Sequence, residues 1–166
     1  ETGELNGHTI SVDGKTIYIA RKDSSVNGFK VLSRNVQEGE EQKLIDFKNE
    51  RKYSIALSPD GKLLALLSRD NTTSYMIPAI LRIVDVENAN IILTHKLQRV
   101  ARNLTWSADG SEVIFCAYTG EETMGLWHIK SVGGEPVKLP IEMTGEMRHL
   151  TVHPDGKRIA FSALSP

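Results

Sequence analysis

The sequence predicts an all-β chain assembled from a repeated four-stranded antiparallel unit, and three observations carry that prediction. An Asp-Gly turn recurs at Asp13, Asp60, Asp109 and Asp155, at intervals of 47, 49 and 46 residues. A short apolar run follows each turn, at Ile17 to Ala20, Leu63 to Leu67, Val113 to Ala117 and Ile159 to Ser162. No segment places its apolar residues at the helical spacing of three and four. A fixed period of roughly 20 to 50 residues marks an array of supersecondary units rather than a single irregular fold.

Each element follows from local chemistry. The four copies read Ser11-Val12-Asp13-Gly14-Lys15, Ser58-Pro59-Asp60-Gly61-Lys62, Ser107-Ala108-Asp109-Gly110-Ser111 and His153-Pro154-Asp155-Gly156-Lys157. Pro presets the second turn position, Asp suits the third and Gly supplies the positive φ that returns the chain, so each copy is a hairpin. Val12 and Ala108 depart from Pro in two copies, which the turn permits. The runs after the turns are apolar on both faces, so both sides of each sheet should be covered. A third strand follows at Gly28 to Ser33, Ala79 to Val84 and Gly125 to Lys130. Turn chemistry at Glu38-Gly39-Glu40, Asn88-Ala89-Asn90 and Val132 to Pro136 then leads to a fourth at Lys43 to Phe47, Ile91 to Thr94 and Val137 to Leu139.

Four strands in about 47 residues is the size of a β-propeller blade. The fold class is therefore a partial β-propeller of about three complete four-stranded antiparallel blades plus part of a fourth. Residues 1 to 166 read as a single propeller segment, with blades at about 8–47, 53–97 and 102–140 and a partial blade at 147–166. Propeller rings close with about 4 to 8 blades, so the expectation is a segment of a longer propeller, with Glu1 to Glu4 ending a preceding blade. Terminal blades with bare faces and edges predict self-association.

The repeats resemble the TolB-like, WD-repeat-like propellers, whose blades carry a turn of the form S-P-D-G-K followed by an I-A-F strand. The resemblance covers nearly the whole chain. Gly125 to Leu139 matches the family's third strand, turn and fourth strand particularly well. It implies a non-enzymatic module that offers a surface to a protein or peptide, in a bacterial protein that is periplasmic or otherwise exported. A second implied reading is a gating or substrate-positioning propeller of a prolyl-oligopeptidase-like or tricorn-like peptidase, with the catalytic domain outside this chain.

Composition narrows the partners. Lys plus Arg is 20 against 21 for Asp plus Glu, so no global charge draws the chain to nucleic acid. The longest apolar runs fall far short of the roughly 18 residues that cross a bilayer as a helix, so no membrane span is expected. The first seven residues have neither the basic start nor the apolar core of a signal peptide. The single cysteine, Cys116, rules out an intrachain disulfide and a cysteine-rich zinc site. There is no G-x-S-x-G elbow, phosphate-binding loop, dinucleotide fingerprint or H-E-x-x-H, so no catalytic residue, cofactor or metal is assigned.

Two histidines and four aspartates still require a reading. His149 and His153 share a strand and stand about 13 Å apart at roughly 3.3 Å per residue, too far for one metal, and read as surface or channel residues. The four turn aspartates suit local hydrogen bonding better than a calcium ring. Trp106 and Trp127 read as core aromatics.

The longer connections hold more. Strands alternate in direction, so the Asp-Gly turns fall on one face, while the loops between second and third strands share the other face with the links between blades. The longest loop there, Arg69 to Pro78, carries Tyr75, Met76 and Ile77, side chains of the type enriched in interface cores. Two readings of it stand side by side: an interaction loop, or a segment folded back over its own blade. With Arg99 and Arg102 from the next blade link, the residues Arg69, Tyr75, Met76 and Ile77 make up the candidate surface for a protein or peptide partner. Acidic neighbours dilute the basic residues of this face, among them Arg51, Lys52 and Arg148, so it reads as mixed in charge.

Overall fold

The computed structural model describes residues 5–71 and 77–164. Glu1 to Glu4, expected to end a preceding blade, lie outside the described residues, as do Tyr75 and Met76. Four antiparallel sheets follow one another along the chain. The first holds β1 (Leu5–Ile10), β2 (Thr16–Asp23), β3 (Gly28–Asn35) and β4 (Glu41–Phe47). The second holds β5 (Glu50–Leu57), β6 (Leu63–Asp70), β7 (Ile80–Asp85) and β8 (Asn90–Lys96). The third holds β9 (Ala101–Trp106), β10 (Glu112–Tyr118), β11 (Thr123–Lys130) and β12 (Val137–Thr144), and β13 (Glu146–Val152) pairs with β14 (Ile159–Leu164) in the fourth. Strands pair in chain order, which is the blade topology expected from the repeats. The only helical turn among the described residues is a 3-10 turn at Ser24–Val26.

The double-sided strands explain the stacking. In β6, Leu64 and Leu66 pack toward the first sheet with Phe29, Val31 and Phe47, while Ala65 and Leu67 pack toward the third with Trp106 and Phe115. In β10, Val113, Phe115 and Ala117 face the second sheet, and Ile114 and Cys116 face the fourth with Met124, Leu126 and Met147. Each strand thus contributes to two cores, and burying one such Leu or Phe side chain stabilises by roughly 1.5–3 kcal/mol. Phe29 and Phe47 stack with ring centroids 4.8 Å apart.

The innermost strands β1, β5, β9 and β13 lie side by side. Directional bonds set their offset: Leu57 N–H donates to Thr9 Oγ1 at 3.3 Å, Leu104 N–H to Ser54 Oγ at 3.3 Å and Trp106 Nε1 to the Ala56 carbonyl at 3.0 Å. Asn103 Nδ2 donates to the Met147 carbonyl at 3.3 Å. Cys116 is buried at the last junction, its thiol 3.5 Å from the same carbonyl, and burial pushes its pKa up.

One expectation of coverage differs. The strand Ile159 to Ser162 reads as apolar on both faces, yet β14 alternates, with Ile159 and Phe161 half-buried and Ala160 and Ser162 exposed. Its inner face packs on the third sheet through Ile159 and Phe161, and among the described residues no sheet covers the other.

Candidate functional site

The two rims of the stack have different chemistry. At the Asp-Gly rim, Ser58 Oγ donates to Asp60 Oδ1 at 2.6 Å, and the same carboxylate oxygen accepts Lys62 N–H at 3.1 Å. Ser58 Oγ also accepts Leu63 N–H at 2.9 Å, which ties the turn to β6. Ser11 with Asp13 and Ser107 with Asp109 repeat the pattern. These bonds lower the aspartate pKa values, first through the serine hydroxyl and next through the backbone N–H. Asp109, which also accepts from the Ser111 hydroxyl, falls to about 2. The carboxylates are held by their own turns, as local hydrogen bonding requires.

His153 replaces serine in the fourth turn, where its Nδ1 accepts Asp155 N–H at 3.2 Å and Arg158 pairs with Asp155 at 2.9 Å. His149 sits at a bulge in β13 with φ 52 and makes a 2.9 Å hydrogen bond to Ser162 Oγ. The two histidines have separate partners. Among the described residues, no group of three or more His, Cys, Asp or Glu side chains is arranged to hold a metal ion.

The opposite rim holds the loops between second and third strands and the links between blades. Here Arg69 and Arg102 meet on one ring: the Arg69 guanidinium lies 5.5 Å and that of Arg102 4.9 Å from the Tyr53 centroid. Arg102 also lies 6.0 Å from Tyr118, giving an alternating Arg69, Tyr53, Arg102, Tyr118 ladder across β6, β5, β9 and β10. Arg69 is the last-but-one residue of β6 and is 1% exposed, so it anchors the ladder from inside a strand rather than projecting from a loop. Tyr53 and Arg102 are half-buried. The Tyr53 hydroxyl and Arg102 Nε have no hydrogen-bond partner among the described residues.

Arg99 lies elsewhere, in the groove between the second and third sheets. Its guanidinium covers Trp127 at 4.4 Å from the ring centroid. The groove, about 210 Å³, is lined by Arg99, Trp127, Phe115, His95, Lys96 and Glu135. Trp127 packs against the core between these sheets, as expected of a core aromatic, and its ring also forms part of the groove wall, with no hydrogen-bond partner for its Nε1 among the described residues. Ile77 is half-buried before β7 and belongs to neither cluster. The structure thus joins Arg69 to Arg102, and keeps Arg99 separate.

No protein-family model and no curated protein sequence matches the chain. Solved structures do. TolB from Acinetobacter baumannii superposes with a TM-score of 0.70 at 16% identity, over 96% of this chain and 37% of that one. The fold is that of a TolB-like β-propeller. A Kuenenia stuttgartiensis hydrazine synthase chain gives a TM-score of 0.72 at 19% identity, over 95% of this chain and 49% of its own. Acylaminoacyl peptidase of Pyrococcus horikoshii gives 0.66 at 17%, over 92% and 27%. The chain therefore spans between 27% and 49% of these structures' lengths. At such identities the likeness concerns fold alone, and function has to be argued from the sites. No helix among the described residues of this TolB-like segment is long and apolar enough to cross a membrane.

Tyr53, Tyr118 and Trp127 are site residues that sequence reasoning missed. Each sits in a strand, where an aromatic ring reads as core. The available signal was Arg102, placed one strand over from Tyr53 by the repeat itself.

Proposed function

We propose that the chain is a non-enzymatic β-propeller module that presents its loop rim to a protein or peptide. The observation that supports this most directly is the Arg69, Tyr53, Arg102, Tyr118 ladder, in which buried donors on Tyr53 and Arg102 have no hydrogen-bond acceptor among the described residues. Stacked arginine and tyrosine side chains are the residues that most often dominate binding energy, and their ordering in advance lowers the entropic cost of association. Donors without acceptors select carbonyl and carboxylate oxygens, so the partner is an acidic or backbone-exposing peptide segment. Arg99 over Trp127 offers a second contact on the neighbouring groove. A bacterial, periplasmic or otherwise exported setting goes with the TolB-like reading, and the face of β14 that no sheet among the described residues covers supports self-association as an additional contact.

Selection from a random peptide library against the folded chain tests the proposal. Acidic peptides should be enriched, and Arg102→Ala should weaken them at least tenfold, while Lys62→Ala on the opposite rim should leave them unchanged. Peptides bound equally well by the Arg102→Ala and Tyr53→Ala variants would refute the assignment of this rim. The likeness to an acylaminoacyl peptidase structure favours a second reading, a propeller that positions substrate beside a peptidase domain. A Gly-x-Ser-x-Gly segment in the same reading frame would separate the two.

A further inference from the structure

Lys52 is the only buried lysine among the described residues, at 8% exposure. It sits in β5 opposite Ser68, with β1 of the preceding sheet packed over it. A Cβ at Gly7 would stand 2.2 Å from Lys52 Nζ, so the amine lies directly against the β1 backbone, and the φ of +137 at Gly7 is one that favours glycine. Lys52 Nζ has no hydrogen-bond partner among the described residues, and burial lowers its pKa to about 8.

The nearby acids are committed elsewhere. Both oxygens of Glu50 are held by Arg82, at 2.6 and 2.7 Å, and one also accepts the Ser68 hydroxyl at 2.7 Å. Asp23 accepts from Ser25 and pairs with Lys30. Asp70 is exposed at the strand end opposite Glu50. Lys52 nevertheless lines a cleft of about 250 Å³ between the first two sheets, together with Lys22 and Arg51. Three cations face one acid that is already paired.

The lip of this cleft is built rather than loose. Asn71 Nδ2 donates to Asn27 Oδ1 at 2.8 Å and to the Asn27 carbonyl at 3.0 Å, crossing from the second sheet to the first. Asn71 N–H donates to the Asn49 carbonyl at 2.8 Å, and Asn49 N–H to the Val26 carbonyl at 3.2 Å. Asn27 and Asn49 take the left-handed conformation, at φ 49 and 56, that brings these groups together.

We propose that this cleft is a binding site for a small oxyanion, a phosphate or carboxylate group, with the Lys52 ammonium as its buried contact and Lys22 and Arg51 as its entrance charges. A buried unpaired cation is costly, and an anion that reaches it gains a charge-assisted bond in a poorly screened place. The site is independent of the Tyr53 ladder, which lies between the second and third sheets.

The test titrates the 166-residue chain with inorganic phosphate and, separately, acetate at pH 7 and constant ionic strength, following the lysine side chains by NMR. Either anion should shift the Lys52 signal saturably and raise its apparent pKa by at least one unit. Phosphate alone indicates a tetrahedral group, and response to both indicates a carboxylate-accepting site. Lys22→Ala and Arg51→Ala should each weaken the response several-fold. Lys52→Met should abolish the thermal shift produced by the anion, while Lys62→Met keeps it. If neither anion moves Lys52 more than exposed Lys62, and its titration near pH 8 is unaltered, the ammonium takes no anion from solution and the proposal is overturned.

Discussion

At the Asp-Gly rim every turn carboxylate finds its partners within three residues of itself. At the loop rim Glu50 is bound by Arg82, 32 residues along the chain, Asn71 by Asn27, 44 residues back, and Lys52, Tyr53 and Arg102 retain donors without described partners. The difference is between saturated and unsaturated polar surface. A turn that satisfies itself can be repeated in every blade and stabilises each hairpin separately, but has little left to offer a ligand. A rim assembled from distant residues depends on the stacking of sheets, and that stacking is what leaves buried donors available for an incoming acceptor.

The strongest test of this contrast removes a long-range partner. The Arg82 and Glu50 side chains are 13% and 12% exposed and form a bidentate pair, with Arg82 also 5.1 Å from the Phe47 ring of the neighbouring sheet. Arg82→Met leaves the Glu50 carboxylate buried without its cation, and should cost about 3–5 kcal/mol in urea unfolding. Pairing it with Glu50→Gln should recover much of that loss, because the stranded charge is then gone. A cost below about 1 kcal/mol would place the pair among ordinary surface bridges and remove the energetic distinction between the rims.

Lys52 gives an effect of opposite sign. Its pKa is near 10.5 when exposed and about 8 in the folded chain, so between these values the unfolded chain binds more protons than the folded one. Stability should therefore rise as pH increases from about 8 to 10.5, and the penalty should be fully present below pH 8. The gap corresponds to about 3 kcal/mol. Lys52→Met keeps the apolar stem and removes the charge, so it should be more stable than the parent at pH 7 in anion-free buffer and lack the alkaline rise. Unfolding curves of both chains at pH 7 and pH 10 decide the matter, and equal stabilities at pH 7 would show that the ammonium is solvated. The turn carboxylates behave oppositely at acid pH: their stabilising contribution is present above the ordinary aspartate pKa and is lost as pH falls through their lowered values, about 2 for Asp109.

Legibility in the sequence follows the same division. The propeller fold is readable because each hairpin advertises itself through residues two to five apart, and because the runs Leu63 to Leu67 and Val113 to Ala117 have no polar face. Local turn bonding of Asp60 and Asp109 is readable for the same reason. Arg69 was readable as a basic residue near a loop, but its burial on Tyr53 depends on the stacking of the third sheet against the second. Lys52 looked like one more charge on a mixed surface, since nothing within the strand signals that β1 covers it. Strand alternation locates residues within a sheet, whereas the depth of a charge between sheets is a property of two repeats at once.

The smallest expected effect probes the saturated rim where its chemistry is interrupted. In three turns a serine hydroxyl donates to the aspartate and accepts the backbone N–H five residues later, of Thr16, Leu63 or Glu112, at 2.9–3.0 Å. His153 makes a different bond, to Asp155 N–H, and the corresponding residue Arg158 binds through its side chain instead. His153→Ser should restore the hydroxyl bridge and add about 0.5–1 kcal/mol, whereas Ser58→Ala should cost about 1 kcal/mol. Because β13 and β14 form only a two-stranded unit among the described residues, their local opening is the sensitive readout. Amide exchange at Arg158 and Ile159 should slow about two- to fivefold in His153→Ser, which is the same gain expressed as a rate. Unchanged exchange there, alongside a measurable loss in Ser58→Ala, would mean that the hydroxyl matters only where a full blade already holds the hairpin closed.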